Sequence, residues 1–429
     1  MVANGPLHGV KVFEVSQIIA GPFCGMNLAD LGADVVKVEP PSGEGFRVIG
    51  AFMPGESKLF HTLNRGKRSL VIDLGKPAGQ ELVHRLIAGF DVFIINSRPG
   101  VPERLRIDYE TLKRFRPDLV YLENTGFGTE GPSATRAGSD IVLQAYSGLM
   151  AGEGKIDKHG APYLITSTGP ADIAAGLSAA MGICAALFHR ARTGEGQKIS
   201  STLLGAALAI QLSAVARVPV FDALVTDPLM ARIHEARARG ASYREIMAIK
   251  GDQFDRLGKA MRFYYGGYEV KDGAVIFGAL TPLNRAQMRR VLGVEGMDPS
   301  EDPDFNALDP ANDEAMERMH EHIREIMKTK TMDEWMELLN AAGAPASKVN
   351  MSEELYLDPQ VQAMGMMREY DHELSGPELL AGPIVNMSVT PTGTDRPSPP
   401  LGRHTDEVLA EYGVNAQEVA ALREQHVIA

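Results

Sequence analysis

Short apolar runs alternate with amphipathic stretches over the first 125 residues. Val10-Lys11-Val12-Phe13-Glu14-Val15 reads as a strand, Gly21 to Leu31 as a helix and Asp34 to Glu39 as the next strand. The pattern repeats with a strand at Ser69 to Asp73, a helix at Pro77 to Ala88 and a strand at Asp91 to Asn96. A helix at Asp108 to Arg116 and a strand at Leu119 to Glu123 follow. Strands alternating with helices predict an α/β fold whose parallel sheet is covered on both faces. Ligands of such sheets bind beyond the carboxyl ends of the strands. The segments after Val15, Glu39, Asp73, Asn96 and Glu123 are therefore where a site is expected.

The pattern changes further on. Residues 199–216 are apolar and read as helix, and 222–262 are charged and helix-prone. Tyr264 to Gly278 alternates as a hairpin turning at Lys271-Asp272-Gly273. Helices are expected at Asn284 to Leu292, Asp313 to Lys328 and Met332 to Ala342, the last with Trp335 in the core. A β-like stretch near Gly382 to Val389 precedes a final helix from Asn415 to Gln425. The division that follows is a large α/β domain over 1–210, a linker or insertion over 211–262, a small α+β domain over 263–348, and a return to the large domain over 349–429.

Composition narrows the function classes. The chain has 429 residues and a formal net charge of −12, so it carries no basic footprint for nucleic acid. Its two cysteines are too few for a disulfide framework and suit a reducing, cytoplasmic setting. No signal peptide and no membrane-spanning run are read from the sequence. Gly126-Phe127-Gly128-Thr129-Glu130-Gly131 matches G-x-G-x-x-G, but a loop at Pro132 to Thr135 follows where a helix should start, which argues against a dinucleotide.

The stretch with most chemical content is Ser167-Thr168-Gly169-Pro170-Ala171-Asp172. Pro170 suits a first helical position. Asp172 then falls in the first turn, where orphan N–H groups and the helix dipole favour an ionised carboxylate. Ile173, Leu177, Met181, Cys184 and Phe188 follow at helical spacing, and Gly194 can stop the helix.

Three blocks, Gly138-Ser139-Asp140 to Met150, Ser167 to Gly176, and Ala186 to Gln197, together resemble the family III CoA-transferases, the formyl-CoA and carnitine CoA-transferase family. The resemblance runs from Leu7 to Asp406, with 211–262 unlike the family pattern. It implies a Rossmann-like large domain built from both chain ends, a smaller α+β domain and an interlocked homodimer. It implies transfer of CoA from an acyl-CoA thioester to a carboxylic acid, with Asp172 as covalent nucleophile, Gln17 beside the thioester and Asp140 beside the nucleophile. CoA would enter as part of the substrate, with no resident cofactor and no metal required. Ile18, Asn96, Arg98 and Arg104 match or adjoin blocks that contact CoA, and Lys67 and Arg68, in a polar stretch before a strand, are expected to pair with its phosphates as charge-assisted donors. Ser97 replaces the family's usual aromatic residue. The alternative of the same fold is an acyl-CoA racemase or an intramolecular CoA-transferring isomerase. Ser139 stands where racemases carry a histidine, so a second base for α-proton exchange is missing and transfer is favoured.

Overall fold

The structure, a computed structural model, describes residues 5–165, 168–306 and 309–429. Ser167 therefore lies outside the described residues. The chain divides into two compact units: Met1–Lys155 with Pro162–Ala216 and Pro359–Ala429, and Ile156–Ala161 with Arg217–Asp358.

The first unit is built on β1 (Lys11–Val15), β2 (Asp34–Glu39), β3 (Lys67–Val71), β4 (Val92–Ile95), β5 (Val120–Thr125) and β6 (Lys198–Thr202). All pairings in this sheet are parallel. The order across the sheet is β3-β2-β1-β4-β5-β6. Phe13 sits opposite Val36 on one side and Phe93 on the other. One face buries Phe13, Leu70, Phe93 and Tyr121 against Val83, Leu86 and Phe90 and against Val408, Leu409, Val427 and Ile428 from the chain's end. The other buries Val12, Val35, Ile94 and Leu122 beneath a first helix, Ala20–Asp30, and a long helix, Pro170–Thr193. Apolar side chains on both faces are what the near-continuous hydrophobic strands require. Strand order reverses between β1 and β4, which places a crevice beyond their carboxyl ends.

Three expectations need correction. Lys198–Thr202 is a sixth strand, not the start of a helix. Thr202 both ends that strand and caps the helix Leu203–Ala209, its Oγ1 accepting the Gly205 N–H at 2.8 Å, so no break in the sequence marks the change. The expected β segment near Gly382 to Val389 is displaced: the strands are Met367–His372 and Gly376–Ala381, an antiparallel hairpin. Its alternation is masked by Arg368, Glu369, Asp371 and His372, although Tyr370 and Leu380 are buried.

The third concerns the long helix. The large apolar stripe does not face the core: Leu177, Met181 and Phe188 are 41%, 71% and 66% exposed. The buried face is Ala171, Asp172, Ala175, Gly176, Ala179, Ala180, Ile183, Ala186 and Leu187. Small residues win that face because the first helix lies close. A Cβ on Gly176 would sit 2.8 Å from the Ala20 carbonyl oxygen. By length and composition this helix is also apolar enough to cross a bilayer, a test that a half-buried core helix also passes; about half of its apolar window is buried.

The chain's end covers the outer strand of the sheet. His404 N–H donates to Ser69 O at 3.0 Å, and Asp73 N–H to Val427 O at 2.8 Å. Arg68 joins this seam with bonds to Asp34, Glu407 and Glu411. A capped outer strand offers no free ladder to another chain.

The second unit holds helices Pro219–Leu224, Thr226–Ala238 and Tyr243–Arg262, the last begun by a Ser242–Glu245 capping box. Residues 217–262, expected within a linker or insertion, thus carry three helices of this unit. A three-stranded antiparallel sheet follows, Tyr265–Val270 and Gly273–Gly278 with Ala346–Lys348 on the far side. Helices Pro282–Leu292, Asp313–Met327 and Met332–Ala341 pack with it. Trp335 is buried and its Nε1–H donates to Met327 O at 2.8 Å.

Candidate active site

The loop leaving β1 defines the centre of the site. Gln17 N–H donates to Asn96 Oδ1 at 2.9 Å, and Asn96 Nδ2 donates back to Gln17 O at 2.7 Å. Asn96 stands just past the end of β4, so one side chain ties the two strand ends at which the sheet order reverses. The next residue, Ile18, has φ of +69°. A β-branched residue in the left-handed region is strained and persists only where its surroundings enforce it. Here Glu44 does so, accepting the Ile18 N–H at 2.9 Å. The Gln17 side chain is left exposed.

Asp172 reaches the same place from the long helix. It lies in the first turn, with Pro170 at the first position and Gly169 before it at φ of +59°. Gly169, at the capping position, has no side chain to offer this helix. Asp140 caps it from a distant loop, its Oδ2 accepting the Asp172 N–H at 2.9 Å. Gln144 holds the other oxygen through Nε2. The G-x-G-x-x-G run belongs to this delivery, not to a dinucleotide. A Cβ on Gly126 would lie 3.0 Å from Gly138 Cα, so the loop crosses itself there and returns Ser139 and Asp140 to the sheet end.

Asp172 is 8% exposed, and its carboxylate lies near enough to the Ala20 N–H, at the start of the first helix, for that group to favour its ionised form. It therefore meets the amino ends of two helices. The sequence led us to expect an ionised group held low by that position. Burial, with Asp140's charge second, instead raises its pKa from an ordinary 3.8 to about 7, against the pull of the Ala20 N–H. The group is thus poised to change charge near neutrality, as a carboxyl at a reacting centre often is.

Gln17, Ile18, Asn96, Asp140 and Asp172 come together. Arg98 and Arg104 lie beyond β4, Arg104 ending the short helix Val101–Arg104; both are exposed and neither forms an ion pair among the described residues. Lys67 and Arg68 do not join them, which corrects their assignment as phosphate ligands. Both open β3, at the opposite end of that strand from a carboxyl-end site. Lys67 is fully buried, its Nζ bonding Glu14 Oε1 at 3.0 Å, Pro22 O at 2.8 Å and Asn64 Oδ1 at 2.8 Å. Arg68 is committed to Asp34, Glu407 and Glu411.

Sequence reasoning missed the supports beneath the loop. Glu14, Lys37, Lys67 and Glu44 form a buried ionic cluster, in which Lys37 Nζ also donates to Ser16 O at 2.9 Å. The signal was present. Glu14 and Lys37 stand in strands of a sheet covered on both faces, where a charge must find a partner.

The model of CoA-transferase family III matches residues 7–405. A succinate–glutarate CoA-transferase of Agrobacterium fabrum is 36% identical, over 95% of this chain and 95% of that protein. A succinyl-CoA:glutarate CoA-transferase of Homo sapiens is 31% identical, over 95% of this chain and 86% of that one. A solved CAIB/BAIF family protein from Brucella suis is 32% identical with a TM-score of 0.72, covering 95% of this chain and 100% of that chain. With the family's pattern matched almost end to end and a poised carboxyl at its switch-point crevice, this chain belongs to CoA-transferase family III and is a CoA-transferase.

Proposed function

We propose that the protein transfers CoA from an acyl-CoA thioester to a carboxylic acid through a covalent intermediate on Asp172. The observation that carries this is a buried carboxyl at two helix starts, with a pKa of about 7, beside a strained loop. The ionised carboxylate attacks the thioester carbonyl, the C–S bond breaks, and a mixed anhydride and CoA thiolate result. The thiolate attacks the Asp172 carbonyl and expels the donor acid as its carboxylate, leaving an aspartyl–CoA thioester. The acceptor carboxylate then runs the sequence in reverse and frees Asp172. Splitting one difficult exchange into such steps is the advantage of covalent catalysis. The N–H groups at the helix starts can hold the negative charge that moves between these oxygens.

CoA enters as substrate and leaves as product. Gln17 and Ile18 face the thioester, and Arg98 and Arg104 take the phosphates as charge-assisted donors. Asp140 positions Asp172 by holding its helix. The dicarboxylates named for two relatives set the first pair to try. Purified protein with succinyl-CoA and glutarate, and then a panel of acids, should yield new acyl-CoA by mass spectrometry with parallel initial-rate plots. Arg104→Ala should raise KM for acyl-CoA about tenfold and leave KM for the acid unchanged, as loss of ground-state binding does. Intersecting plots would argue for direct transfer without an enzyme-bound intermediate.

A second copy of the chain covers the outward stripe of the long helix. Leu177, Met181 and Phe188 are too large and too exposed for an unpartnered surface. The expected solution mass is twice 46.4 kDa. A single-chain mass at micromolar concentration would count against this pairing.

A further inference from the structure

A second cluster of titratable groups lies in the first unit, away from the residues assigned to transfer. Glu56 opens the second strand of the small hairpin Ala51–Met53/Glu56–Ser57, and His61 follows on the helix Lys58–Asn64. His372 ends the strand Met367–His372 and Glu378 stands on its partner strand. His61 Nε2 is 2.8 Å from Glu56 Oε2, and His61 Nδ1 is 2.5 Å from Glu378 Oε1. His372 stacks on His61 at 4.2 Å between ring centroids and points Nε2 at Glu56 Oε2 from 3.7 Å. Glu56, His61 and His372 are each at most 2% exposed.

Two features leave the cluster open to a cation. The Nε2 of His372 is buried and has no hydrogen-bond partner, and it carries the ring proton while Nδ1 accepts from two N–H groups. The charges are also unbalanced. Arg47 is the neighbouring cation, but its Nε and Nη2 bind Glu39 at 2.7 and 2.8 Å, and it approaches Glu56 Oε1 only to 3.6 Å. The buried Glu56 and the half-buried Glu378, which also accepts from Ser375 Oγ, are thus met chiefly by imidazoles, and buried charge must be compensated. One divalent ion with two neutral imidazoles would balance both.

We propose that Glu56, His61 and His372 form a structural site for a divalent transition-metal ion. One ligand atom from each lies within 4.8 Å of the others. Tetrahedral zinc with bonds of about 2.0–2.2 Å sets its ligand atoms roughly 3.4 Å apart, so small side-chain shifts close the site. Mixed imidazole and carboxylate donors suit zinc and its neighbours in the series, not calcium or magnesium. Glu378 would accept from His61 Nδ1–H, the outer carboxylate that commonly orients a metal-bound imidazole. The ion displaces the proton between His61 and Glu56. It also moves the His372 ring proton to Nδ1, which now accepts from the N–H groups of Leu374 and Ser375 at 3.3 and 3.2 Å. Those two contacts are given up on loading. The proton displaced from between His61 and Glu56 leaves to solvent, so uptake weakens at low pH. The ion joins the N-terminal segment to the C-terminal hairpin and takes no part in transfer, which departs from the expectation of a metal-free chain.

The test uses the full-length protein, stripped with chelator and dialysed against Zn²⁺ or Co²⁺ at pH 7.5 and pH 5. Elemental analysis should give about one ion per chain at pH 7.5 and far less at pH 5. Co²⁺ should show the d–d absorption of a low-coordinate site, and Zn²⁺ should raise the melting temperature. His372→Gln should lose the ion, and Glu378→Gln should weaken it about 10–100-fold. Wild type that retains no stoichiometric ion after loading, or equal uptake by His372→Gln, would overturn the proposal. If the variants do not fold, the wild-type stoichiometry and cobalt spectrum decide alone.

Discussion

Asp172→Asn is expected to fold, to bind acyl-CoA nearly as wild type does, and to turn over at least about a thousandfold more slowly, the scale on which loss of a covalent route is felt. Asn keeps the shape and an oxygen for the Ala20 N–H but cannot form the anhydride. Two further results separate chemistry from architecture. Wild-type kcat/KM should rise with pH through about 7, because attack needs the ionised form and burial with Asp140 holds the group's pKa there. Stability should move the other way. A carboxyl with a folded value near 7 and an unfolded value near 3.8 binds a proton in the folded state only, so wild-type stability falls between about pH 4 and pH 7. Asp172→Asn lacks that dependence. Above pH 7 it should be the more stable protein, by a few kcal/mol at most. An Asp172→Ala variant with ordinary turnover would end the covalent reading. A variant that loses both activity and stability at pH 8 would make Asp172 a structural residue.

Lys67→Met should fail in a different way. Its ammonium lies wholly inside the protein between Glu14, Asn64 and the Pro22 carbonyl, and burial lowers its pKa to about 8 despite Glu14. Removing one partner of a buried ion pair leaves the other uncompensated, at a cost of about 3–5 kcal/mol. Lys37 still faces Glu14 at 3.2 Å, so the loss should fall near the lower figure. A urea midpoint shifted down, with KM for acyl-CoA unchanged in the folded fraction, is the expected pattern. A normal midpoint with a raised KM would restore Lys67 to the substrate.

These two residues show what could be read in advance. The helix start at Asp172 was legible because its signals are local: a proline, an acid in the first turn and a helical stripe; its candidacy as nucleophile came from the resemblance of the blocks on either side. Gln17 and Asn96 were legible because they end strands, and strand ends carry sites in parallel sheets. Lys67 looked the same as any basic residue in a polar turn. Only its pairing with Glu14, 53 residues away, shows that it is buried. Asp140 was placed near Asp172 by resemblance, but its role as a cap reaching across 32 residues needed the folded loop. The stripe of the long helix was correctly periodic and wrongly oriented. Spacing gives the angle between side chains, not which side meets the sheet, and close approach of the first helix favoured the small residues.

The seam between the outer strand and the chain's end has a consequence for synthesis. Val408, Leu409, Val427 and Ile428 complete one face of the sheet, and His404 and Val427 supply bonds to the backbone at Ser69 and Asp73. The ribosome makes those residues after all six strands of the sheet. While it works through residues 217–358, which with 156–161 form a compact unit, the earlier sheet waits with one flank open and one face only partly covered. A nascent chain in that state carries the kind of surface that chaperones hold. The interval during which this protein is vulnerable is therefore set by elongation rate and by the distance from Val71 to Thr405, not by how quickly its strands pair.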